Sequence, residues 1–230
     1  MKAVFFDVDF TLIYPGPAFQ GEGYRDFCAR HGMAVDPQLF ARAVNSASGI
    51  LDQAQDAVYN PQIFIDYTAH IIEQMGGRGS SVMACASEIY REWALCRHFL
   101  LYDDVPEALS ELDARGLRIG LISNSHRCLE SFQSHFELEG LIDVAISSAE
   151  HGYMKPHPSI FEAALCLAGV KPAEAIMVGD NLTQDIDGAR RVGMRGALVR
   201  RSERVDAGDE SIDGVPVIRS LAELPGLLSG

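Results

Sequence analysis

Ala3-Val4-Phe5-Phe6-Asp7-Val8-Asp9-Phe10-Thr11-Leu12 runs from four small or apolar residues into two carboxylates two positions apart. The apolar run reads as a short buried strand. Carboxylates at the end of such a strand are costly to place there without a partner. In an extended chain residues two positions apart share a face; the chain is expected to turn directly after Asp7, with both carboxylates in one cleft. A divalent cation with hard oxygen ligands would neutralise them there. A strand that simply ends in solvated acids is the plain alternative.

The same punctuation recurs three times. Ile122-Ser123-Asn124-Ser125 follows Ile119-Gly120-Leu121, and Lys155-Pro156 follows Val144-Ala145-Ile146. Gly179-Asp180-Asn181-Leu182-Thr183-Gln184-Asp185 follows Ala175-Ile176-Met177-Val178. In order, the strand ends carry a carboxylate pair, a hydroxyl with an amide, a lysine and a second carboxylate pair. Open parallel sheets build sites at the carboxyl ends of their strands. With these motifs in this order from residue 7 to 185, the chain resembles the haloacid-dehalogenase-like (HAD) superfamily hydrolases, in their phosphatase branch.

Strands are expected at 3–7, 118–122, 143–147, 175–179 and 196–199. Helical patterns separate them from residue 118 onward. One helix opens at Pro106 and stops at Gly116, another runs through Leu129, Phe132 and Phe136, a third opens at Pro158 and stops at Gly169, and a fourth covers about 183–192. Strands alternating with helices give a parallel sheet with helices on both faces. Between the first two strands, from about 15 to 99, only helical patterns appear. Leu39, Phe40, Ala43, Val44, Ala47, Ile50 and Leu51 form one stripe, and Ile63, Phe64, Tyr67, Ile71 and Met75 another. Asn60 and Pro61 cap the second stripe and Gly76-Gly77 stops it. Residues 82–99 read as one more helix. The expected fold is therefore α/β, a Rossmann-like parallel sheet core from 1–14 and 100–230, with 15–99 inserted. The resemblance implies that the insert is an α-helical cap. A helical subdomain with no part in catalysis is the alternative. Residues 200–214 read as a solvated loop, 215–218 as a short edge strand and 221–228 as a closing helix.

A chain of 230 residues with 47% hydrophobic and 22% charged residues suits a globular core with an insert. The net charge of −13 argues against nucleic acid or an anionic membrane surface as partner. It also means that a phosphate site needs local cations. No segment is apolar enough for a membrane span, and Asp7 and Asp9 interrupt the N-terminal apolar run, which does not read as a signal peptide. Cys28, Cys85, Cys96, Cys128 and Cys166 are scattered, with no Cys-x-x-Cys pair. They read as reduced core residues of a cytoplasmic protein.

What the resemblance implies is specific. Asp7 is the nucleophile that forms an aspartyl-phosphate, and Asp9 gives a proton to the leaving group and later takes one from water. The cofactor is Mg²⁺, held by the Asp7 carboxylate, the Asp9 main-chain carbonyl and Asp180, with Asp185 behind them or bound through water. Ser123 and the Asn124 main chain hold the phosphoryl group, Lys155 supplies positive charge, and Thr11 orients Asp7 or the phosphate. Ser123 as a helix cap, Lys155 as solvated surface and Thr11 as a turn hydroxyl are the plain alternatives. Phe10 stands where the family's first motif usually has Gly, so its side chain has to point away from the phosphate. Arg25, Arg42 and Arg127 are equal candidates for reaching substrate, and none of the seven histidines shows metal spacing.

The expected activity is Mg²⁺-dependent hydrolysis of a small phosphorylated metabolite. Asp9 argues against a dehalogenase, whose branch generally lacks this second acid. The absence of lysine from 15–99 argues against a phosphonatase that uses a cap lysine. A phosphotransferase like a sugar-phosphate mutase shares the core groups, and a non-catalytic binding module is a third reading. Substrate choice is assigned to the cap, and oligomeric state is left open.

Overall fold

A computed structural model of the protein describes residues 1–51, 57–201 and 211–228. The chain forms two compact units, Met1–Tyr14 with Leu101–Gly230, and Pro15–Leu100.

Strand β1 (Ala3–Phe6) has all four residues buried, as its unbroken apolar run requires of a strand covered on both faces. After β2 (Ile13–Pro15) the helical unit follows, with α1 (Gly21–Arg30), α2 (Phe40–Leu51), α3 (Pro61–Gln74) and α4 (Val82–Trp93). α2 packs on α3, α3 on α4 and α1 on α4. As the sequence predicts, Pro61 opens α3 and the Asn60 side chain accepts from the Gln62 N–H.

The stretch 82–99 differs from expectation, and none of the stripes read from sequence covers α1, where Gly21 and Gly23 lower helix propensity. Tyr24, Phe27 and Cys28 nevertheless bury one face of it. Gly23 serves close packing: a Cβ there would lie 2.1 Å from the Ala18 carbonyl oxygen. The single helix expected over 82–99 stops at Trp93. One 3₁₀ turn, Cys96–His98, follows it and leads into β3 (Phe99–Leu101), which pairs with β2. No glycine or proline marks that stop. Side-chain packing does, since the Trp93 and Phe99 rings meet edge to face at 5.0 Å and both lie against Phe19.

The other unit continues with α5 (Val105–Ala114), β4 (Arg118–Ser123), α6 (Leu129–His135), β5 (Val144–Ser147), α7 (Ser148–His151), α8 (Pro158–Ala168) and β6 (Ala175–Gly179). A π-helical stretch, Leu182–Asp187, runs into α9 (Gly188–Arg191), followed by β7 (Arg195–Val199), β8 (Ser211–Ile212), β9 (Val215–Ile218) and α10 (Leu224–Leu228). The five expected strands are present, with ends shifted by no more than one residue. The sheet order is β5-β4-β1-β6-β7-β9-β8. Every pairing is parallel except β8 with β9, so β8, and not the expected 215–218 strand, forms the edge. This is an α/β, Rossmann-like sheet with helices on both sides.

From β1 the chain steps through β4 to β5 on one side, then returns past β1 to β6 and β7 on the other. The carboxyl ends of β4, β1 and β6 are therefore neighbours at the point where the strand order reverses, the usual location of a site in such sheets. α8 supports this point from one face. Its Ile160, Phe161, Ala164, Leu165 and Ala168 share a core with Phe5, Ile122, Val144, Ile146 and Met177. That stripe leaves Cys166 on the opposite face, exposed, and Cys128 at the start of α6 is exposed too. Cys28, Cys85 and Cys96 alone meet the expectation of burial. Among the described residues no helix is long and apolar enough to cross a membrane.

Candidate active site

The first loop is wound tightly. The Asp7 N–H still pairs with the Val178 carbonyl at 2.9 Å, as a continuation of β1. The Leu12 and Ile13 N–H groups then both return to the Val8 carbonyl, at 2.9 and 3.1 Å. Phe10 takes φ 64°, the left-handed region that glycine favours, and the residue is 44% exposed. A bulky residue held there stores on the order of 1 kcal/mol of strain, which persists only where the surroundings over-determine the turn.

Lys155 is the hub. It follows α7, its peptide bond to Pro156 is cis, and its side chain is 1% exposed. Its Nζ lies 2.6 Å from Asp7 Oδ1 and 2.7 Å from Asp185 Oδ1. Burial alone would lower its affinity for a proton, but the Asp185 and Asp7 charges outweigh that and hold the ammonium above its ordinary range. Asp7, Asp180 and Asp185 can each place a carboxylate oxygen within 4.8 Å of the others. Burial pushes the Asp7 carboxyl well up, against the pull of Lys155. Burial and then the Asp185 charge push Asp180 up to about 7. One ammonium does not balance three crowded carboxylates, so the donor set fits a hard divalent cation.

The Asp9 carboxylate lies outside the group formed by Asp7, Asp180 and Asp185. Both of its oxygens accept from the buried Arg127 guanidinium, at 3.0 and 3.1 Å.

The second motif surrounds Lys155. Asn124 grips the main chain of Lys155 with its side chain, Nδ2 to the carbonyl at 2.9 Å and Oδ1 from the N–H at 2.7 Å, and also donates to Gln184 Oε1 at 3.1 Å. Ser123, at the end of β4, donates to Ser125 Oγ at 2.9 Å. Thr11 is fully buried and its hydroxyl has no hydrogen-bond partner among the described residues. In the last motif the Asn181 N–H donates to Asp185 Oδ2 at 3.0 Å. Only glycine fits at 179, since a Cβ there would lie 2.2 Å from that same oxygen. The expected helix at 183–192 is wider at its start, because the Asp185 and Ile186 N–H groups both reach the Asn181 carbonyl.

Two further residues, read from sequence as part of a solvated loop, are structural. Arg200 donates to the Asp180 carbonyl. Arg201 donates to the Thr11 carbonyl at 2.7 and 3.2 Å, forks onto Asp104 at 2.7 and 2.8 Å, and lies over the Tyr102 ring. The remainder of the expected loop, 202–210, lies outside the described residues. Asp104 also accepts from the Ser220 hydroxyl and the Leu221 N–H. Burial raises the Asp104 carboxyl, but these donors outweigh it and hold it below its ordinary value. Asp104→Ala should therefore cost about 2–4 kcal/mol at neutral pH, since Arg201 loses its partner. A depressed carboxyl stabilises the fold above its unfolded value, near 4, and ceases to as pH falls through its folded value. The gap between the denaturant melts of the two proteins should thus narrow as pH falls below about 4 and close once it is below the folded value. A constant gap across pH would show that lost packing, not the ion pair, sets the cost.

A family model for haloacid dehalogenase-like hydrolases matches residues 1–193. The chain belongs to that family. It is 30% identical over 212 residues to the human haloacid dehalogenase-like hydrolase domain-containing protein 3, covering 89% of this chain and 84% of the relative. It is also 30% identical over 252 residues to the mouse N-acylneuraminate-9-phosphatase, covering 99% and 94%. Among solved structures, the HAD-hydrolase YfnB of Bacillus subtilis, determined bound to magnesium, shares the fold with a TM-score of 0.78 at 16% identity, over 100% of this chain and 99% of that one.

Proposed function

We propose that this HAD-family hydrolase is a phosphatase that cleaves small phosphate monoesters through an aspartyl-phosphate on Asp7. The observation that carries the reading is the buried Asp7–Lys155–Asp185 chain beside Asp180, at the reversal of strand order. An Asp7 oxygen forms a bond to phosphorus as the ester P–O bond breaks, and the leaving oxygen takes a proton from Asp9. Water, giving its proton to Asp9, then attacks phosphorus, releasing inorganic phosphate and restoring Asp7. Lys155 orients Asp7 through Oδ1 and favours its ionised form against the opposing effect of burial. Ser123, Thr11 and the Asn124 main chain are the donors offered to the phosphoryl oxygens, and the unpartnered Thr11 hydroxyl supports that role. Asp7, Asp180 and the Asp9 main-chain carbonyl would hold Mg²⁺, with Asp185 kept behind them by Lys155 and Asn181. When bound, the ion would neutralise charge on the transferring group. These groups address only a phosphoryl group and leave nothing to tell one ester from another. We therefore assign substrate choice to the helical unit.

The test is inorganic phosphate release over a panel of sugar, sialic acid and amino acid phosphates with Mg²⁺. Phosphate release from several esters is the expected result. No release from any member would refute the reading, and transfer between sugars without release would favour the mutase.

A further inference from the structure

Arg127 comes from the segment between β4 and α6, and none of its side chain is exposed. It meets Asp9 fork to fork, Nη2 to Oδ1 at 3.0 Å and Nη1 to Oδ2 at 3.1 Å, so the second motif grips the first across 118 residues of sequence. Burying a guanidinium costs several kcal/mol, and a solvated aspartate on a surface loop would not need one. The Asp9 side chain is 18% exposed. The carboxylate therefore has one edge on the buried arginine and another toward solvent.

We propose that Arg127 is a positioning residue that fixes the plane and direction of the Asp9 carboxylate for proton transfer, without itself touching substrate. The inference rests on the acid–base reading of Asp9 given above. Two parallel hydrogen bonds set both the position and the plane of a carboxylate, which one bond cannot do. They also leave Asp9 able to act. A carboxylate has about four acceptor positions, and the guanidinium takes one on each oxygen. A proton carried on a remaining position can pass to the ester oxygen while the clamp stays closed. Lysine would supply the charge but hold only one oxygen firmly.

The test compares kcat/KM for an aryl phosphate, whose leaving group needs no proton, with that for an alkyl phosphate, whose leaving group does. This ratio reports on ester cleavage and is not moved by a general loosening of the fold. Asp9→Asn should lose about 10²-fold more on the alkyl ester than on the aryl one. Arg127→Gln should show the same bias, at about tenfold or more, Arg127→Lys should fall between it and the wild type, and the Asp9→Asn/Arg127→Gln double variant should be no worse than Asp9→Asn alone. If Arg127→Gln does not fold, Arg127→Lys, which keeps the buried charge, carries the comparison. Equal losses on both esters, or an additive loss in the double variant, would overturn the role of Arg127 while leaving that of Asp9 intact. An unbiased loss in Asp9→Asn itself would instead remove the acid–base reading and this inference with it.

Discussion

Asp7→Asn should lower turnover on the order of 10⁴-fold or more while the protein stays folded. The substitution keeps the shape of the side chain and replaces the carboxylate that would form the acyl phosphate with a non-nucleophilic amide. No neighbour can take over. Asp9 is clamped by Arg127, Asp185 is held between Lys155 and the Asn181 N–H, and Asp180 belongs to another loop. Stability should change little, because burial already disfavours the Asp7 carboxylate more strongly than Lys155 favours it. Lys155 also keeps its second partner, Asp185, at 2.7 Å. The measurement is phosphate release together with a thermal melt and acid-quench trapping of labelled protein. A folded variant with near-wild-type turnover would rule out covalent catalysis at Asp7. Loss of turnover with loss of the melt would show only that the position is structural.

The sheet was legible because each core strand is an unbroken apolar run that ends in polar residues. Burial on both faces leaves no other pattern open to Ala3–Phe6 or Ala175–Gly179. Proline and asparagine marked helix starts equally well at Asn60-Pro61 and at Pro158. What stayed hidden depended on tertiary contact. Helix α1 has a weak local signal and exists because Tyr24, Phe27 and Cys28 have a core to enter. The stop at Trp93 is set by ring packing and not by a breaker residue. Lys155 and the aspartates could be placed from their motifs, since each follows its own strand. Arg127 could not be told from Arg25 or Arg42, because what distinguishes it is a partner 118 residues away. Arg201 failed for the same reason on a larger scale. A charged segment reads as solvated until the Thr11 carbonyl and Asp104 are seen to meet it.

Removing divalent metal should lower activity by on the order of 10³-fold, the factor that a loss of about 4 kcal/mol of charge stabilisation produces. The reason lies in the charge balance of the buried pocket. Asp7, Asp180 and Asp185 bring three carboxylates within 4.8 Å, and Lys155 is the ammonium bridging two of them. A phosphate monoester would bring further negative charge into that space. A chelator should therefore silence the enzyme, and added Mg²⁺ should restore it. The same imbalance predicts a second effect that does not depend on turnover. A cation that binds the folded site and not the unfolded chain stabilises by mass action, about 1.4 kcal/mol at tenfold its dissociation constant. Mg²⁺ should thus raise the thermal midpoint of the wild-type protein, and Asp180→Asn should abolish most of that rise. Arg118→Gln serves as the control, since Arg118 pairs with Asp143 at the far end of β4 and should leave the rise unchanged. Full activity in chelator, or a midpoint indifferent to Mg²⁺ in the wild type, would show that Lys155 alone balances the pocket.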